Sequence, residues 1–221
     1  MRLRACVLVL GAGFALAGCA SNTSPIDAAP DVVARSVYRH DGPPSLTLFT
    51  MVSNSSGAGA HSSIMVNASQ RVIFDPAGSV RHSAVPEVRD VLYGITPRIE
   101  KFYESAHART TYHVVIQEVA VSAAVAEKAL ELVQARGPVG QMYCAQSTSS
   151  ILNDLPGFEG IRTTFFPNGL AKQFGRLPDV TTRVLYEDDD DDKRVAIEQF
   201  NAAQEEARVA AQTRNQNQLS R

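Results

Sequence analysis

Two of the three cysteines fall within the first nineteen residues, so the remainder of the chain holds a single thiol, Cys144. With Cys6 and Cys19 set aside, no internal disulfide can staple the fold, which must stand on its buried core alone. An unpaired thiol is a liability in an oxidising compartment. It is either a small buried hydrophobe or a residue kept for its reactivity. The sequence around Cys144 favours the second reading.

The chain starts Met-Arg-Leu-Arg, and an apolar run from Ala5 to Ala17 ends in small residues. This is export-signal architecture, too short to span a bilayer as a helix. Leu16-Ala17-Gly18-Cys19 resembles a bacterial lipobox, which implies cleavage before Cys19 and acylation (palmitate-type chains) of the new N-terminus. Such chains anchor a protein without crossing the bilayer. An ordinary secreted signal is the alternative. Ala20 and Ser21 match outer-membrane sorting, so the expectation is a cell-envelope lipoprotein facing the periplasm. The chain then divides into a signal peptide (1–18), a tether (19–43), a folded domain (44–186) and an acidic linker with a helical or disordered tail (187–221).

The formal net charge is -2: the stretch from Glu187 onward carries -4, Arg2 and Arg4 at the start carry +2, and residues 19–186 are formally neutral. No nucleic-acid partner is expected from a chain without a basic footprint. The aspartates after Glu187 lack the spaced ligands and glycine of a calcium loop, and no metal or organic cofactor is expected. The Ser/Gly loop 53–59 lacks the lysine of a phosphate loop.

Residues 46–52 are β-branched and aromatic and read as a strand. Residues 61–66 and 71–75, joined by Asn67-Ala68-Ser69-Gln70, read as a hairpin. Pro86 and Pro97, each with an acid nearby, predict two helix starts. Residues 111–119 predict a strand. Ser122 caps a helix over 122–136 with Val125, Ala129, Leu132 and Val133 as its apolar stripe, and Gly137-Pro138 stops it. A second helix begins near Cys144. Late strands are expected within 157–166 and 180–186, and an Ala-rich helix over 194–212 with a disordered tail beyond. The order predicts an α+β fold, a small antiparallel sheet packed against helices.

A cysteine at a helix N-terminus faces free N–H groups and the positive end of the helix dipole. These can bring its pKa from about 8.5 to about 3.5–7.5 and stabilise an oxyanion. Its base must be a histidine. His40, His107 and His113 read as surface residues, and His82 is ambiguous. His61 opens a strand directly after a small-residue loop, where its ring can reach a helix terminus. Asp75 ends the partner strand at the level of His61 and can orient the ring, although Asp-Pro is also ordinary turn chemistry.

Ala60-His61-Ser62-Ser63-Ile64-Met65-Val66, then Val72-Ile73-Phe74-Asp75, then Gly140-Gln141-Met142-Tyr143-Cys144 together resemble the circularly permuted branch of the NlpC-like papain-fold superfamily. That branch includes lecithin:retinol acyltransferase-like proteins and bacterial envelope hydrolases. The resemblance implies a permuted papain-like fold, with Cys144 as nucleophile, His61 as base and Asp75 as the third polar residue. Many relatives have Asn directly before the cysteine, where this chain has Tyr143. The reading of the site makes the Cys144 N–H an oxyanion donor, with Gln141 a weaker one. The implied function is a cysteine hydrolase or acyltransferase acting on an amide or ester through a thioacyl intermediate. Its substrate would be a peptidoglycan peptide, a lipid or a protein. The alternative is a non-catalytic envelope lipoprotein that binds a cell-wall or protein partner.

Overall fold

The computed structural model describes residues 27–78, 80–188 and 193–219. The expected signal peptide, Cys19, the start of the tether and aspartates 189–192 lie outside the described residues. After a short helix, α1 (Pro30–Ser36), come β1 (Ser45–Ser53), β2 (Gly59–Asn67) and β3 (Arg71–Phe74). A small hairpin, β4 (Glu87–Val88) and β5 (Val91–Tyr93), leads to α2 (Pro97–His107) and β6 (Tyr112–Ala120). Helices α3 (Ala123–Arg136), α4 (Cys144–Asn153) and α5 (Pro167–Phe174) precede β7 (Thr181–Leu185) and α6 (Lys193–Leu219).

The fold is α+β. Seven strands form one open antiparallel sheet in the order β4-β5-β3-β2-β1-β6-β7. Successive side chains of a strand face opposite ways, and here both faces are covered. Leu46, Leu48, Ile64, Val66, Val72 and Phe74 pack under α3, α4 and α5, whereas Phe49, Met51, Met65, Ile73, Val114 and Ile116 pack under α2 and α6. Burial on both faces explains why β1 reads as a nearly continuous apolar run. None of the described helices is long and apolar enough to cross a membrane.

Several expectations need correction. Pro86 starts no helix: Arg89 and Asp90, at φ 51° and 67°, make a two-residue turn between β4 and β5. Two successive residues with positive φ match the right-handed twist of a hairpin. Residues 157–166 form turns and loop rather than a strand, and α5, opening on Pro167, was not expected. The buried stripe of α3 is Ala126, Ala129, Leu130 and Val133, with Val125 and Leu132 at its margin. The tail beyond 212 continues α6 to Leu219, in keeping with the helix propensity of Gln and Arg. Helix α6 packs on α2 through buried Ala196 and Phe200, the Phe200 ring stacking on Phe102 at 4.6 Å.

Candidate active site

β2 outruns β3. Their ladder ends at Ile64 opposite Phe74, so the start of β2 loses its neighbour on that side. The N-terminus of α4 fills the gap. The Cys144 sulfur lies beside the His61 ring and the backbone N–H groups of Ser62 and Ala145, all of which favour its thiolate. The nucleophile therefore sits at the edge of the sheet, where α4 on one face meets His61 on the other.

The loop before α4 sets that position. Gly137 (φ 78°) turns the chain out of α3 as expected, and Met142 adopts φ 70° although it is not glycine. Tyr143 precedes the helix without a side-chain cap. Asp90 ties this loop to the other half of the site: one carboxylate oxygen accepts the N–H of Val139 at 2.7 Å and of Ala77 at 3.2 Å. The N–H groups of the first helical turn have no intrahelical acceptor. Ser147 N–H, bonded to Tyr143 C=O, opens the ladder. Cys144 N–H thus has the placement of an oxyanion donor. Gln141 is exposed and lines a neighbouring cleft with Asp90, Val139 and Gly78.

On the other side, His61 Nε2 meets Asp75 Oδ1 at 2.6 Å, which leaves the other ring nitrogen for the thiol. Asp75 follows the last residue of β3, is 3% exposed, and donates its N–H to Asp90 C=O at 2.8 Å. The Tyr103 hydroxyl, from α2, lies 2.9 Å from Asp75 Oδ1 and 2.7 Å from Ser63 Oγ. It has one proton. The carboxylate is the stronger acceptor, and Ser63 can then donate to the phenol oxygen. Gly78 closes over the carboxylate, since a Cβ there would lie 1.8 Å from Asp75 Oδ2.

Burial disfavours the charged forms of His61, Asp75 and Cys144, yet their partners outweigh it. His61 is raised from 6.5 to about 10: burial opposes its charge, and the Asp75 carboxylate and then the Cys144 sulfur override that. Asp75 is lowered from 3.8 to about 2, burial being overcome by His61, His107 and Tyr103. Cys144 is lowered from 9.0, burial being overcome by His61 and by the N–H groups of Ser62 and Ala145. Opposite charges and hydrogen bonds to the charged form each favour ionisation. These shifts all favour a thiolate–imidazolium pair backed by the Asp75 carboxylate.

His107 was expected at the surface and is buried. It ends α2, one turn after Tyr103, with its Nδ1–H donating to Tyr103 C=O at 2.8 Å and its ring stacked 6.1 Å from that of His61. Burial, reinforced by the Lys193 and His61 charges, lowers its pKa from 6.5 to about 4, so it is neutral beside the charged His61. Tyr103 and His107 went unrecognised in the sequence, although their i, i+4 spacing puts both on one face of α2. The other histidines lie elsewhere: His82 contacts Asn201, Phe102 and Phe200, His113 stacks on Tyr186, and His40 packs near Tyr38. A cavity of ≈ 210 Å³ opens beside His61, bounded by Met51, Ala60, His107, Tyr112 and Lys193. No cluster of three or more metal-ligating side chains occurs among the described residues.

Comparison with family models, curated proteins and solved structures found no match to this chain.

Proposed function

We propose that this protein is a cysteine hydrolase or acyltransferase of permuted papain-like type. The observation that carries the reading is the convergence of Cys144, at a helix N-terminus, with a His61 ring that is hydrogen-bonded to Asp75. The thiolate attacks an amide or ester carbonyl, forming a C–S bond while the carbonyl π electrons move to oxygen. Cys144 N–H faces that oxyanion. The tetrahedral species collapses as the C–N or C–O bond breaks, and the leaving group takes the proton of the His61 imidazolium. His61, now neutral, removes a proton from water or another acceptor, which attacks the thioester. Collapse of this second intermediate returns the sulfur as thiolate and leaves His61 protonated. Asp75 holds the ring in register throughout. The lipobox-like sequence supports placing this chemistry on a lipid anchor at Cys19 in the cell envelope, to be checked by mass spectrometry of the mature N-terminus.

The test is alkylation by iodoacetamide followed against pH. A paired thiolate reacts well below the free-thiol pKa of about 8.5, and His61→Ala moves the titration upward by removing the imidazolium. Slow alkylation of wild type at every pH, indifferent to residue 61, overturns the reading and returns the site to a binding role.

A further inference from the structure

The sheet edge divides the site. The His61 side holds the ≈ 210 Å³ cavity described above, and none of its lining residues comes from α4 or from the loop before it. The other side is a short apolar shelf. Met142 is 85% exposed, Tyr143 50%, Phe165 56% and Phe166 73%, and the Tyr143 and Phe165 rings meet edge to face at 5.6 Å. Exposed hydrophobics scattered singly need no explanation, but a contiguous patch does. These four belong to two short segments, one immediately before the nucleophile and one immediately before α5.

The shelf is fixed from both ends. Ser149 Oγ, on α4, accepts the N–H of Thr164 at 3.0 Å. Asn168, at the start of α5, donates to Gly57 C=O at 2.8 Å in the loop that leads into β2. Gly59 packs there against Pro167 and Asn168 so closely that a Cβ would lie within 2.8 Å of each. The aromatic segment is thus strung between the nucleophile's helix and the base's strand.

Chemistry assigns the two sides. The leaving group takes its proton from His61 and so departs on the His61 side, into the cavity. The group on the acyl side of the scissile carbonyl must extend the other way, over Tyr143 and Phe165. Resting on the hydrolase reading, we propose that the substrate is a peptide-like acyl donor whose residue at the scissile carbonyl carries a bulky apolar side chain, which Tyr143 and Phe165 select. The shelf is two rings long and open, dimensions that suit a side chain rather than an extended fatty chain.

The experiment measures acylation of the protein by 4-nitrophenyl esters of N-acetyl-phenylalanine, N-acetyl-alanine, octanoate and acetate, reading nitrophenol release and the mass of the adduct. Wild type is expected to prefer the phenylalanine over the alanine ester by at least about tenfold, the low end of what one methylene is worth in an apolar pocket and a modest demand of an open shelf. Phe165→Ser and Tyr143→Ser should each cut that ratio several-fold, whereas Val209→Ser, an exposed apolar position on α6, should keep it. A ratio near one, or variants that leave it unchanged, overturns the proposal while a Cys144 adduct still supports the hydrolase. Octanoate as the best ester overturns it in favour of a lipid acyl donor. No adduct at Cys144 from any ester overturns the hydrolase reading, and this inference with it.

Discussion

The base and the nucleophile are held by different means. His61 lies on a strand paired along its length with β1, and its ring is backed by Asp75, then Tyr103 and Ser63, with His107 stacked alongside. Each of these side chains is buried or nearly so; hydrogen bonds join His61, Asp75, Tyr103 and Ser63, and His107 is held by the Tyr103 C=O. Cys144 is delivered by a loop that carries Met142 at positive φ and an exposed Tyr143; its side chain is buried against the apolar core, and the polar groups beside its sulfur, apart from His61, are two backbone N–H groups. A buried polar network is costly to break from within. Damage on the base side should therefore register in stability and reactivity together, and damage on the cysteine side mainly in reactivity.

The largest expected effect contrasts Asp75→Asn with Cys144→Ser. Asparagine leaves the buried His61 charge without its carboxylate, and removing one partner of a buried pair costs about 3–5 kcal/mol. Serine at 144 keeps the volume close and leaves His61 its Asp75 partner, so it should cost clearly less than Asp75→Asn, with alkylation abolished. Urea unfolding of both variants at pH 7 gives the comparison directly. Similar losses in the two would remove the distinction between the two sides.

His107 gives the contrast a pH dependence. Its folded pKa, about 4, lies below the ordinary 6.5, so the unfolded chain binds the extra proton between those values. Stability rises with pH through this window and is lost as pH falls from 6.5 toward 4, by roughly 3 kcal/mol at most. Asp75, with its pKa near 2, gives up its share only below the ordinary 3.8. His61, at about 10, contributes fully below 6.5 and loses its share as pH rises toward 10. His107→Gln should therefore flatten the stability profile between pH 6.5 and 4 relative to wild type and leave the alkaline limb alone. A wild-type-like slope in that variant would mean His107 is not held neutral by the fold.

Tyr103→Phe should cost about 1–3 kcal/mol, the range for leaving buried partners unsatisfied, here Asp75 and Ser63. Because the phenol holds the carboxylate and not the sulfur, the thiol titration should shift less than in His61→Ala. Equal shifts would make Tyr103 a direct partner of the reacting pair.

What the sequence revealed follows the same divide. Strands β1 to β3, α3 with its Ser122 cap, and α4 were legible because their periodicity and breakers are local. Cys144, His61 and Asp75 could be placed on those elements without knowing the sheet order. The rest depended on tertiary context. Pro86 followed by Glu87 imitates a helix start, and nothing local announces that Arg89 and Asp90 will take positive φ in place of the usual Asn-Gly. Phe165-Phe166 imitates strand chemistry, although Pro167 directly after it is a helix-start residue. His107 reads as a surface residue if the helix stops before it; α2 extends to His107 and places it on the Tyr103 face. The seven-stranded extent of the sheet depends on the β4–β5 hairpin, which was read as helix.

Asp90 joins the two halves, and it should show the smallest change in stability with a distinct change in chemistry. Its carboxylate holds Ala77, in the turn after Asp75, and Val139, in the loop before Cys144. Its backbone sits at φ 67°, a conformation glycine adopts without steric cost. Asp90→Gly therefore removes the brace and relaxes the turn at once. Losing two bonds at this half-exposed, solvent-screened carboxylate, each discounted to the ordinary value of about 0.5–1.5 kcal/mol, costs about 1–3 kcal/mol, and relief at the positive φ returns up to about 1–2 kcal/mol. The net change in urea midpoint should be slight. The alkylation rate should nonetheless fall, because the loop carrying Cys144 is no longer tied to the turn carrying Asp75 and the sulfur spends less time against His61. Retained wild-type alkylation in a variant of wild-type stability would show that α4 alone sets the cysteine, and that the two sides of the site need no brace between them.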